Sequence, residues 1–132
     1  MRISGTYTGG SGSIAAARNL VTAFMCRADA DGFAPAQRLL GDARLVVSEL
    51  VTNAVKHTPG PCGIVMELVG DAVRITVWDT SPLRPAAPAP DQVSAGHHGM
   101  TIISTLCGPV HVTRRGVGKQ VTTTLRADRL PS

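Results

Sequence analysis

At Thr58-Pro59-Gly60 the spacing of the apolar residues changes, and that change restricts the folds open to this chain. Before it, Leu40, Ala43, Val47, Leu50, Val51 and Ala54 recur at helical intervals, and Pro35 is tolerated in a first helical turn, so a helix is predicted from Pro35 to His57. After it, Gly63 to Val69 and Ala72 to Trp78 alternate apolar and polar positions around Gly70-Asp71, the pattern of a β-hairpin. A one-sided helix and a one-sided hairpin each need a partner layer.

The rest of the chain supplies those layers. Ile3 to Thr8 alternates as a strand, the GGSGS run at 9–13 is a turn, and Ser13 is placed to cap a helix. From Ile14 to Arg27 the residues Ala17, Leu20, Val21, Phe24 and Met25 form a second helical stripe, broken near Asp31-Gly32. Residues 80–98 hold four of the nine prolines and few large apolar side chains, which predicts a long surface loop. A short helix from Met100 to Leu106 follows, then strands from Val110 to Arg114 and from Lys119 to Leu125. Strands in hairpins and helices in a cluster predict an α+β fold. It is a two-layer α/β sandwich with helices on one face of a mostly antiparallel sheet, and one domain spans 1–132.

Composition excludes several classes of function. No run reaches the roughly 18 to 20 apolar residues of a membrane span, and the N-terminus has no apolar signal segment, so a soluble cytoplasmic protein with no membrane partner is expected. Cys26, Cys62 and Cys107 are far apart and are read as reduced thiols. The net charge of +4 rests on 11 scattered arginines with one Trp, one Tyr and two Phe, which argues against direct nucleic-acid binding.

The chemistry concentrates on the long helix. At about 100° per residue, taking Glu49 as zero, Asn53 falls near 40°, Lys56 near 340° and His57 near 80°, along one flank of the apolar stripe. A carboxylate and a carboxamide one turn apart can serve a hard cation, or a hydroxyl that the carboxylate deprotonates; a solvated helix flank is the bland alternative. The chain has only two Glu, two Lys and two Asn, and one of each sits here. Asp79 ends a strand and opens the long loop, where its carboxylate can receive an exocyclic amine of a ligand base. Gly96-His97-His98-Gly99 precedes a helix start, where bare amides favour phosphate.

The order of these pieces resembles the GHKL ATPases, whose ATP-binding domain is of the Bergerat type. The closest likeness is to the stand-alone anti-sigma-factor serine kinases of the RsbW and SpoIIAB type, single-domain proteins abundant in actinobacteria. The likeness runs from Ser13 to Leu125 and is most specific in SELVTNAVKHT at 48–58. It implies that Asn53 coordinates the Mg²⁺ bridging the ATP phosphates, that Glu49 is the general base, and that Lys56 and His57 line the phosphate side. VWDTSP matches the G1 box, making Asp79 the adenine-binding residue with Ser81 beside it. Residues 80–98 become the ATP lid, and Gly96, His98, Gly99 and Met100 correspond to the G2 box.

Departures from the family pattern are equally specific. Ser81 and Leu83 stand where the G1 box has glycines, His97 replaces the first G2 glycine, and Lys119 follows Gly118 where many members have threonine. Lys119 can approach the nucleotide there or simply face water, and water is the expectation. The resemblance implies a Mg²⁺- and ATP-dependent serine/threonine protein kinase that phosphorylates an anti-anti-sigma partner of the STAS type, sequesters a sigma factor and forms a homodimer. A nucleotide-sensing module without transfer activity is the alternative. A sensor histidine kinase fits less well, since the chain has no room for a dimerisation helix pair with a phospho-accepting histidine.

Overall fold

A computed structural model of the chain describes residues 1–10, 12–31, 37–57, 60–80, 110–114, 116 and 118–126, apart from the side chains of 37, 38 and 57. In chain order the elements are β1 (Arg2–Tyr7), α1 (Ser13–Ala30), α2 (Gln37–His57), β2 (Cys62–Val69), β3 (Ala72–Asp79), β4 (His111–Arg114) and β5 (Lys119–Arg126). The five strands form one antiparallel sheet in the order β1-β2-β3-β5-β4, with β3 at its centre. Both helices pack on one face, giving the α+β sandwich that the change of period implied.

The stripe read from the sequence is the stripe that is buried. Ala17, Val21, Phe24 and Met25 of α1 meet Ala43, Val46, Val47, Leu50 and Val51 of α2, and both rest on Ile64, Met66, Val73, Ile75, Val77 and Leu125 of the sheet. Each fully buried aliphatic or aromatic side chain contributes roughly 1.5–3 kcal/mol of transfer free energy. Ser13 does not cap α1. Gly12 holds the cap position with no side-chain hydrogen bond, while Ser13 lies inside the first turn and is buried. At the other end the Asp31 N–H donates to the Arg27 and Asp29 carbonyls, and Arg27 sits favourably near the negative end of the helix dipole.

The hairpin between β2 and β3 pairs Val69 with Ala72 across a two-residue turn. Gly70 takes φ +64, while Asp71 stays at negative φ, the Gly-first arrangement of a type II′ turn that matches strand twist. On the face away from the helices, Trp78 pairs with Gly63, and its indole fills the space a β-carbon at 63 would take. Among the described residues that face forms a broad hollow of about 590 Å³ lined by Thr6, Val65, Trp78 and Gln120, among others. It lies on the side of the sheet opposite the buried ends of β3 and β5.

Candidate functional site

One end of the sheet gathers the residues that matter. Here β1 ends at Tyr7, β2 begins at Cys62, β3 ends at Asp79 and β5 begins at Lys119, and Tyr7, Cys62 and Asp79 are successive register partners. Alternation along β3 puts Val73, Ile75, Val77 and Asp79 on the helix side, so a carboxylate takes the last place in an apolar row. Asp79 is 4% exposed. A carboxylate that dry must be paired.

One partner is Lys119. The ammonium Nζ donates to Asp79 Oδ2 at 2.6 Å, and the two side chains keep 15% and 3% of their surface. The expectation that Lys119 faces water is therefore wrong. Alternation from Val121, Thr123 and Leu125 back to Lys119 puts the lysine on the buried side of β5, and a buried acid waits there. That period-2 argument was available in the sequence; what it lacked was the register joining β5 to β3.

Gly118 makes the approach possible. It adopts φ +150, and a β-carbon there would collide with the Asp79 carbonyl oxygen. On the other side of the same corner, the Thr80 hydroxyl donates to the Pro61 carbonyl at 3.0 Å, tying the exit of β3 to the entry of β2. Burial, and then the negative charge of Asp79, push the Cys62 thiol above its ordinary pKa of 9.0. Burial, and then Cys62, raise the Tyr7 hydroxyl above 10.0. Cys62 and Cys26 are both free thiols, buried and exposed respectively.

Of the four helical residues, Glu49 and Asn53 take the flank position that the wheel gave them, Lys56 is exposed, and the side chain of His57 lies outside the described residues. Glu49 and Asn53 are half-buried on the flank of α2, between the buried Val46 and Leu50 and the exposed Leu45, Thr52 and Lys56. His57 is the last residue of α2, and four residues separate it from Cys62. Such a connection spans at most about 18 Å, so the last turn of α2 stays near the Asp79 end of the sheet. Ser81, Gly96, His98, Gly99 and Met100, the lid at 81–98, the short helix from Met100 to Leu106 and Cys107 lie outside the described residues.

An open antiparallel sheet covered on one face by two helices, with an acid buried at the end of its central strand, defines a two-layer α+β domain. Residues 11–125 match the model of the histidine kinase-like ATPase domain, and the chain belongs to that family, whose GHKL-type members bind ATP. Two solved structures share the fold. The histidine kinase domain of the Erythrobacter litoralis EL346 blue-light activated histidine kinase is 22% identical with a TM-score of 0.50, over 67% of this chain and 44% of that one. Acinetobacter baumannii histidine kinase AdeS is 17% identical with a TM-score of 0.53, over 96% of this chain and 68% of that one. The present chain thus spans less than half of the first and about two thirds of the second. No curated protein matches it. Among the described residues no helix is long and apolar enough to cross a membrane.

Proposed function

We propose that this chain is a regulatory Mg²⁺-ATP-binding protein, a serine/threonine kinase that phosphorylates an anti-anti-sigma partner of the STAS type and sequesters a sigma factor. The observation that carries the nucleotide reading is the buried carboxylate of Asp79 at the end of β3, within a family of ATP-binding domains. On this reading 1–132 is one ATPase domain, working in the cytoplasm as a homodimer.

Asp79 then accepts the C6 amine of adenine, with Ser81 next to it. Asn53 would supply a carboxamide oxygen to Mg²⁺, Lys56 and His57 would line the phosphate side, and Gly96, His98, Gly99 and Met100 are assigned to the nucleotide by their match to the G2 box. The donor set suits this metal. Magnesium is held by one or two protein oxygens together with phosphates and water, and Asn53 offers one such oxygen on the half-buried flank of α2. When bound, the ion neutralises phosphate charge. Glu49, one turn before Asn53, takes the proton of a serine hydroxyl as its oxygen bonds to the γ-phosphorus and the bond to ADP breaks.

The test is transfer of labelled γ-phosphate to a STAS-domain partner. Acid-stable phosphoserine on the partner supports the kinase. ATP binding without transfer makes the chain a nucleotide-sensing module, and acid-labile phosphate on histidine aligns it with the histidine kinases that share its fold.

A further inference from the structure

We propose that Lys119 is a second base-reading residue, donating to the ring nitrogen N1 of adenine while Asp79 accepts from the neighbouring C6 amine; this rests on the nucleotide reading of Asp79. The Asp79–Lys119 pair places one acceptor and one donor side by side, with Nζ 2.6 Å from Oδ2. The Watson–Crick edge of adenine carries the complement, a donor amine adjacent to an acceptor nitrogen. An aspartate alone answers only the amine.

Both groups have the capacity. An ammonium has three donors and a carboxylate about four acceptor sites, so the bond between them does not exhaust either. Lys119 is the more accessible partner, with 15% of its side-chain surface remaining against 3% for Asp79. A lysine at the first position of a strand can normally extend its head into water. This one instead returns to the sheet end, in a corner where Gly118 lets β5 run directly against the Asp79 backbone. The pair is also an expensive structural device, because two desolvated charges rarely gain more than they lose against apolar packing. A ligand-reading role accounts for its placement at the very end of the central strand.

The experiment is a chemical double-mutant cycle read by calorimetry, using Mg²⁺-ATP and its 1-deaza analogue, in which N1 is replaced by C–H, on the wild type, Lys119→Met and Lys119→Arg. The wild type should bind 1-deaza-ATP about tenfold more weakly than ATP, the effect of losing one charge-assisted hydrogen bond. Lys119→Met should bind the two equally, and Lys119→Arg, which keeps charge and donors, should retain the discrimination. Equal affinity of the wild type for both nucleotides overturns the proposal even if Lys119→Met fails to fold. So does a Lys119→Met protein that binds ATP as well as the wild type or better. Asp79→Asn serves as the control: if it weakens ATP in those cases, the nucleotide reading stands and only the role of Lys119 falls. A wild type that binds no ATP overturns both.

Discussion

Lys119 and Asp79, forty positions apart, meet through a 2.6 Å ion pair that joins the first residue of β5 to the last residue of β3. These are neighbouring strands at the centre of the sheet. The pair therefore sits where the two strands part, and its geometry depends on how closely their backbones approach.

Gly118 controls that approach, so Gly118→Ala should destabilise the fold by about 1–3 kcal/mol, the usual effect of forcing a methyl group into filled space. Its positive φ adds to the strain. Urea denaturation with an unchanged midpoint would show that the corner relaxes without loss. Gly116, also at positive φ but with open space around it, should tolerate alanine better.

Asp79→Asn keeps the shape of the side chain while removing its charge. ATP affinity should fall by about 1–3 kcal/mol, roughly 5- to 150-fold, because the acceptor facing the base amine loses its charge and the amide can turn its NH₂ to the base instead. Calorimetry with Mg²⁺-ATP measures this directly, and an unchanged dissociation constant removes Asp79 from the site.

The two oxygen-bearing side chains on the flank of α2 should separate by assay. Asn53→Ala should abolish the dependence of ATP affinity on Mg²⁺. Glu49→Ala should leave ATP affinity nearly intact while lowering phosphoryl transfer by roughly 10²-fold or more. Full transfer activity in Glu49→Ala would exclude it as the base.

Much of this architecture was legible beforehand because it depends on period alone. Val47, Leu50 and Val51 had to share a face, and so did Val73, Ile75 and Val77; two such surfaces have few ways to meet. The half-buried flank position of Glu49 and Asn53 followed from the same wheel. Lys119 was misread because its environment is set by a strand forty residues away, and a register between distant strands leaves no local trace. Ser13 was misread for the opposite reason: a plausible cap residue one position late is turned into the core, and Gly12 takes the cap.

Alkaline pH should weaken the fold through the same sheet end. The Cys62 thiol has a raised pKa when folded, so the unfolded chain releases that proton first as pH rises through about 9.0, and unfolding gains. Stability contributed by the neutral thiol is complete below that value and is lost above it, and Tyr7 acts in the same sense near 10.0 and beyond. Urea midpoints should be flat from pH 7 to 8 and fall toward pH 10. In Cys62→Ala the first part of that fall should shrink, and a wild-type midpoint constant to pH 10 would contradict the linkage.

The chain that leaves the sheet after Asp79 rejoins it as the edge strand β4 and turns into β5 at Lys119, and the clasp between Asp79 and Lys119 gives the intervening stretch fixed anchor points. Ring closure of such a stretch depends only logarithmically on its length, each doubling adding about 0.6 kcal/mol. Changes of length between Asp79 and β4 therefore cost the domain little, while the acid–base corner stays in register.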